Sequence, residues 1–520
     1  MPHIPNELIK PLLEDLRRGD FATVISASND LLKTHPNSII VLNIKGVAHL
    51  NSNEYDLAER CFDTAIKKSP DVDYTCLNLG NLNFKRGAFN LAKKNYQRAL
   101  RLNPKNQQAA NNLGTAFKEM GDLKTAEKFY LMAIKIDNRF ADPHYNYAVI
   151  QRQLNKLDKA EAAYKNALAI RPQYPEALNN LATLFRDLGK TNEAVKLYKD
   201  ALEITPNFRQ AFFNLCETYE KKNSLIELKA LLNSSTYSIF LNSEDAKYYS
   251  ALILFREKKF DECKDACLEV DIRNLSKKRV SGFLHLKGKV FENVGQFSQA
   301  FTTFTEMNQF FKSSIDYDDK TKLAYQKKMQ GRRDELLGKK INRKERKCDD
   351  GKNLLFMVGF PRSGTTLLDT ILRSHRDVQV LEELPMVSEM EAAIPKINTI
   401  AKIEGMKEGN IQAARDAYFS EARKHVDFEK SKIVVDKLPL NLAEAPLISK
   451  VFPKSKYLFV SRHPLDAILS CFMQNFKLNE AMSNMLELTD IVNLYDQVMD
   501  IFFMAVDRYS LDIFVVKYEE

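Results

Sequence analysis

The run Gly359-Phe-Pro-Arg-Ser-Gly-Thr-Thr366 gathers one cation, three hydroxyls and two glycines within eight residues. It follows a short apolar run of buried-strand type, Leu354 to Val358, and precedes a helical stretch, Leu367 to Ser374. A strand, a glycine-containing loop and a helix together aim backbone N–H groups and the positive end of the helix at an anion. The pattern departs from the G-x-x-x-x-G-K-[ST] loop that cradles nucleoside triphosphates. Thr365 stands where that loop has its lysine, and the cation, Arg362, lies inside the loop instead. A second buried-strand run, Lys456 to Val460, ends in Ser461-Arg462-His463-Pro464, and Ser470 lies eight residues past Arg462 on the helix that follows. An arginine at a strand end and a hydroxyl on the next helix can converge on one phosphate. Two more charged groups stand at expected strand ends: Glu382-Glu383 after Val378 to Leu381, and Lys437 within Val434-Val-Asp-Lys-Leu-Pro-Leu-Asn441.

Pro361 to Thr366 fits P-[KR]-S-G-T-T residue for residue and resembles the 5'-phosphosulfate loop of sulfotransferases that use 3'-phosphoadenylyl sulfate (PAPS). The resemblance implies that Arg362, Ser363, Gly364, Thr365 and Thr366 contact the phosphosulfate, and that Arg462 and Ser470 hold the 3'-phosphate. The order P-R-S-G-T-T, helix, His375, then Glu-Glu is similar to the tyrosylprotein sulfotransferases. That likeness implies Glu383 as general base and Lys437 beside the bridging oxygen of the leaving phosphate. Arg362, Lys437 and the loop amides would supply the positive field, so the scheme requires no metal. Asp436 to Asn441, Phe452-Pro453, Arg462 to Asp466 and Ser470 to Asn475 resemble bacterial proteins that join tetratricopeptide repeats to a sulfotransferase domain. Asp512 to Glu519 reads as one more strand. Relatives continue past this Tyr-Glu into a segment that closes over the nucleotide and acceptor, so the domain is expected to be incomplete at its carboxyl end.

The scaffold that must carry such a site begins with a repeat. Ala58, Ala92, Ala126, Ala160 and Ala194 stand 34 residues apart, as do Phe62, Tyr96, Tyr130, Tyr164 and Tyr198, and Ala65, Ala99, Ala133, Ala167 and Ala201. Pro70, Pro104, Pro172 and Pro206 close four units, with Asn138 in the equivalent slot of another. Small residues let two helices approach, the aromatic fills the gap between hairpins, and proline ends the second helix. One hairpin cannot bury its apolar face, so the units must stack into a solenoid. Period and residue classes resemble the tetratricopeptide repeat. Gly19, Leu31 and Pro36 fit a degenerate first unit, and the period slips beyond Phe212 and Tyr219 before Gly288, Phe291, Gly295, Ala300 and Phe304 restore it. The reading is therefore an all-α tetratricopeptide-repeat solenoid over 1–326 (best repeats 39–206), irregular near 233–244, then a basic linker over 327–352 and an α/β P-loop-like sulfotransferase domain with a mainly parallel sheet over 353–520.

Asn78, Asn112, Asn146, Asn180 and Asn214 also recur at this period. The column looks like the asparagine ladder of O-GlcNAc transferases, which implies a concave groove whose carboxamides grip the backbone of a protein or peptide acceptor. A helix surface that merely follows the repeat consensus is the alternative.

Bulk composition fits this reading. With 44% apolar and 28% charged residues the chain is an ordinary folded protein, and no stretch approaches the roughly 20 apolar residues of a membrane span. Its start shows no apolar run of signal-peptide type, so a cytoplasmic location is expected. Seven scattered cysteines, with no C-x-x-C pair, disfavour a disulfide framework and a zinc ribbon. Much of the net charge of +9 falls between Lys327 and Lys352, which reads as a solvated junction, and no nucleic-acid motif accompanies it. The function expected is transfer of a sulfuryl group from PAPS to an acceptor hydroxyl, such as a protein tyrosine presented by the groove. A non-catalytic repeat scaffold with a decayed domain, and an enzyme acting on a glycan or lipid, are the alternatives.

Overall fold

The computed structural model describes residues 5–314, 317–337, 351–395, 397–426 and 433–520. The chain divides into two compact units, Met1–Asn242 and Ser243–Glu520.

The first unit is a run of antiparallel helical hairpins, of which Asp73–Lys85 with Phe89–Leu102 and Gln107–Glu119 with Leu123–Ile136 are typical. The periodic alanines Ala58, Ala92, Ala126, Ala160 and Ala194 are fully buried. Phe62, Tyr96 and Tyr130 each lie against the glycine of their hairpin. A Cβ placed on Gly80 would come within 2.4 Å of the Tyr96 ring, and one on Gly114 within 2.8 Å of Tyr130. At these two hairpins an added methyl would force the ring or the helices to shift, whereas Ala148 and Ala182 fill the equivalent slot in the next two repeats. The turns between paired helices carry a periodic signal of their own. Asn53, Gly87, Gly121, Asn155, Gly189 and Asn223 all have φ between 55° and 82° and stand 34 residues apart. Glycine and asparagine tolerate this left-handed conformation better than other residues do, and it lets the chain reverse after a helix. In the stretch expected to be irregular, the chain forms only a 3₁₀ turn, Ser235–Tyr237, and a four-residue helix, Ser238–Leu241.

The second unit opens with more hairpins: Glu244–Arg256 with Phe260–Leu268, and Lys277–Asn293 with Phe297–Lys312. The latter repeats the clasp of the first unit, with the Phe304 ring 2.6 Å from a Cβ placed on Gly288. The hairpin helices therefore continue into the compact unit that holds the sheet.

The basic stretch differs from the solvated linker expected. Its first part lies in a helix, Asp319–Leu337. Arg332 on this helix is buried, and its Nη1 donates to Glu444 Oε1 at 2.6 Å and to the Ala443 carbonyl at 3.2 Å. Lys328 pairs with Glu391 at 2.7 Å. The cations of this run thus find carboxylates that lie far along the chain, and a guanidinium leaves water only when so paired. The rest of the basic run, 338–350 with Arg343, Lys344, Arg346, Lys347 and Cys348, lies outside the described residues.

Five strands follow: β1 (Leu354–Gly359), β2 (Val378–Glu382), β3 (Ile433–Lys437), β4 (Lys456–Ser461) and β5 (Asp512–Lys517). They form one parallel sheet in the order β2-β3-β1-β4-β5. After β1 the chain crosses toward the β2 edge, and after β4 toward the β5 edge. The two connections diverge and leave a crevice outside the carboxyl ends of β1 and β4, the place where parallel sheets of this kind hold ligands.

Candidate active site

The carboxyl ends of β1, β2, β3 and β4 and two helix starts meet at that crevice. The helix Thr365–Arg373 begins directly after Gly364, whose φ of 101° is open to glycine alone. A Cβ there would also lie 2.4 Å from the Tyr518 ring. At the other end of the loop, a Cβ on Gly359 would lie 2.5 Å from the Val460 carbonyl oxygen, so β1 and β4 approach closely where the loop leaves the sheet. Between these glycines, Arg362 holds a left-handed φ of 70°. Its Nε donates to Ser470 Oγ at 3.1 Å, and its carbonyl accepts from Arg462 Nη1 at 3.1 Å. The three residues named for the two ends of a nucleotide are therefore linked directly. Arg462 also lies over the Tyr518 ring, at 4.9 Å. Ser363 Oγ and Arg462 Nε are buried without a hydrogen-bond partner among the described residues, an arrangement that a bound polar group would satisfy. Thr365 is buried at the helix start, and Thr366 is exposed beside it.

Lys437, the last residue of β3, has a side chain that is 0% exposed. Its Nζ donates to Glu383 Oε1 at 2.7 Å, and lies 3.3 Å from Glu382 Oε1 and 3.5 Å from Thr366 Oγ1. It joins the carboxylates to the loop. The two glutamates are held differently. Glu382 Oε2 also accepts from Arg373 Nη2 at 2.9 Å, and Arg373 is itself fixed by the buried carboxylate of Asp369. Glu383 is paired with Lys437 and remains more exposed than Glu382. Its backbone N–H donates to the Lys437 carbonyl at 2.8 Å, and its φ is 52°. A left-handed glutamate is uncommon, and such strain concentrates at functional sites.

Several neighbours carry no signal in the motifs. His285, on the helix Lys277–Asn293, has a buried Nε2 without a partner among the described residues. Burial first, and then the positive charges of Lys289 and Arg362, hold its pKa down to about 4. Asp436 stands next to Lys437 but is wholly buried, where its Oδ2 accepts from the Tyr418 hydroxyl at 2.9 Å. Burial pushes this carboxyl up to about 7, against the opposing effect of the Tyr418 hydrogen bond.

The asparagine column lies in the first unit, described by itself. Asn78 Nδ2 donates to Asn43, Asn146 to Asn111 and Asn214 to Asn179, each to a carboxamide 35 residues earlier, at 2.9 to 3.0 Å. Asn180 Nδ2 donates to the Tyr145 hydroxyl at 3.0 Å, and Asn112 Nδ2 to Asn81 at 2.9 Å. At least one amide hydrogen of each residue thus clips its repeat to the one before. The expectation of freely offered carboxamides is narrowed accordingly: Asn214 is buried, and the carbonyls of Asn112 and Asn180 also accept from the neighbouring Asn111 and Asn179.

Residues 355–520 match the model of a sulfotransferase family. Residues 80–121, 107–140 and 139–207 match models of the tetratricopeptide repeat. The chain joins tetratricopeptide repeats to a sulfotransferase-family domain. An uncharacterized protein of Aquifex aeolicus (strain VF5) is 31% identical over 198 residues, 36% of this chain and 25% of that protein. Protein-tyrosine sulfotransferase 2 of Gallus gallus is 31% identical over 142 residues, 26% of this chain and 38% of that protein. The chain therefore spans well under half the length of either curated relative. Among solved structures, a thermophilic tetratricopeptide-repeat protein of Thermus thermophilus is 25% identical, covering 35% of this chain and 100% of that one, with a TM-score of 0.32. No helix among the described residues is long and apolar enough to cross a membrane.

Asp436 gives the sulfotransferase domain a characteristic pH response. An aspartate titrates near 3.9 in an unfolded chain, and this one near 7 when folded. Between those values the folded state holds a proton that the unfolded state has lost, so stability falls as pH rises through that window. Asp436→Asn should remove the slope and stabilise the domain above pH 7 by up to about 4 kcal/mol. Thermal midpoints of parent and variant from pH 5 to 8 measure this, and parallel profiles would refute it.

Proposed function

We propose that the sulfotransferase domain moves the sulfuryl group of PAPS to an acceptor hydroxyl, R–OH + PAPS → R–OSO3⁻ + 3',5'-ADP + H⁺. The observation that carries the reading is the buried ammonium of Lys437, set between Glu383 at 2.7 Å and the phosphosulfate loop at Thr366. A base and a cation side by side at the mouth of an anion loop are what this transfer needs. When bound, PAPS supplies an activated sulfuryl group on a bridging phosphate oxygen. Ser363, Thr365, Thr366 and the amides at the helix start would hold its phosphosulfate, while Arg462 and Ser470 would hold the 3'-phosphate. Glu383 takes the acceptor proton as the new O–S bond forms. Lys437 and Arg362 steady the charge that collects on the leaving oxygen as the old S–O bond breaks. Their positions are fixed in advance by the sheet and loop, so little reorganisation is required at the moment of reaction. No step of this scheme calls for a metal.

For the acceptor we propose a protein segment, a tyrosine being the first candidate on the strength of the named Gallus gallus relative. The first unit supports this with a cavity of about 360 Å³ lined by Asn78, Asn81, Phe84, Tyr96 and Asn112 among others. It combines amides with aromatic faces, which suits a peptide backbone and its side chains.

Nucleotide choice tests the site first. By calorimetry on the full chain, 3',5'-ADP should bind far more tightly than magnesium-ATP, and Arg462→Ala should weaken 3',5'-ADP while leaving 5'-AMP nearly unchanged. Tighter binding of magnesium-ATP would overturn the assignment. For the base, Glu383→Gln should lower kcat by roughly 10²–10⁴ with 3',5'-ADP affinity intact. A variant that keeps most of its turnover makes Glu383 a bystander. For the groove, changing Asn112, Asn146 and Asn180 together to Ala should raise KM for a protein acceptor but leave a small phenol unaffected. The same variant should lose about 0.5–1.5 kcal/mol of repeat stability for each bond removed. Unchanged KM alongside that loss would make the column a purely structural clip.

A further inference from the structure

The carboxyl end of a helix leaves carbonyls without intrahelical donors. In the helix Pro464–Phe472, which carries Ser470, the Phe472 carbonyl accepts a 3.0 Å bond from Asn308 Nδ2. Asn308 lies on Phe297–Lys312, the second helix of the last repeat-like hairpin, and is almost completely buried. Its Oδ1 has no partner among the described residues. A leucine there would avoid that unsatisfied oxygen, so the amide has to be explained by the bond it donates. Two turns earlier on the same face, the Phe301 ring stacks on the Phe472 ring with centroids 5.3 Å apart and planes at 22°. The two residues immediately before Phe472 touch the anion loop: Ser470 Oγ accepts from Arg362, and Cys471 Sγ lies 3.4 Å from the Pro361 carbonyl oxygen.

We propose that Asn308 and Phe301 are positioning residues for the 3'-phosphate subsite, holding the end of the Pro464–Phe472 helix so that the Ser470 hydroxyl meets Arg362. The inference rests on the PAPS reading above. It makes the last hairpin part of the nucleotide site. Loosening the brace lets Ser470 move relative to Arg362, while the loop between Gly359 and Thr366 stays in place. The loss then falls on ligands that carry a 3'-phosphate and spares those that lack one.

Calorimetry on the full chain, with 3',5'-ADP and 5'-AMP as probes, tests this. Phe301 is 47% exposed, so Phe301→Ala leaves a folded protein even if Asn308→Ala does not. Phe301→Ala should weaken 3',5'-ADP by roughly three- to tenfold and change 5'-AMP less than twofold, with Phe301→Tyr restoring the parent value. In turnover, KM for PAPS should rise by the same factor while kcat at saturation stays within twofold. Full retention of the parent's preference for 3',5'-ADP in Phe301→Ala would overturn the brace and leave the site assignment standing. Equal weakening of both nucleotides would also overturn it, as the mark of general loosening. A parent with no preference for 3',5'-ADP over 5'-AMP would overturn the site assignment itself, and the brace with it.

Discussion

A charged lysine with no exposure to solvent needs partners at fixed distances, and Lys437 organises the crevice around that need. Its backbone belongs to β3, flanked by β1 and β2, with Lys437 paired to Met357 on one side and Glu382 on the other. Its ammonium therefore emerges where the loop after β1 and the end of β2 come together. Glu383 answers it twice, with a carboxylate on Nζ and a backbone N–H on the carbonyl. Glu382 is drawn the other way by Arg373, which leaves Glu383 as the carboxylate with room to act. Remove the ammonium and two carboxylates would crowd the loop after β1 with no cation to balance their charge.

The repeats were readable because each packing demand recurs. A glycine under an aromatic ring at residues 80 and 96 must reappear at 114 and 130, so one observation is made several times over. The strand ends were readable because a short apolar run that stops at a charged residue marks the edge of a buried sheet, which located Glu382, Glu383, Lys437 and Arg462. What stayed hidden depends on contacts between distant residues. Asp436 reads as one more polar residue beside Lys437, but in a strand neighbours face opposite sides, and it points into the core against Tyr418. The cations of the basic run look solvated until Glu391 and Glu444 are brought to them. The asparagine column shows its period plainly, yet only the stacking of repeats reveals that an amide of each member is already engaged by the unit before it.

The boundary between repeat and domain is likewise a matter of contacts rather than motifs. The period returns at Gly288 and Phe304, which marks that hairpin as repeat-like by sequence. Its side chains nevertheless pack on the helix that carries Ser470, within the same compact unit as the sheet. A hairpin can satisfy the repeat pattern on one face and serve a different domain on another, since the pattern constrains only the clasp between its two helices.

Arg362 and Glu383 share one further property, a left-handed backbone. Glycine would fit either position with less strain, by about 1 kcal/mol. A population of variants selected for thermal endurance alone would drift toward glycine at both places and lose both side chains. Under the proposed reaction, residues 362 and 383 are thus where robustness and activity pull in opposite directions.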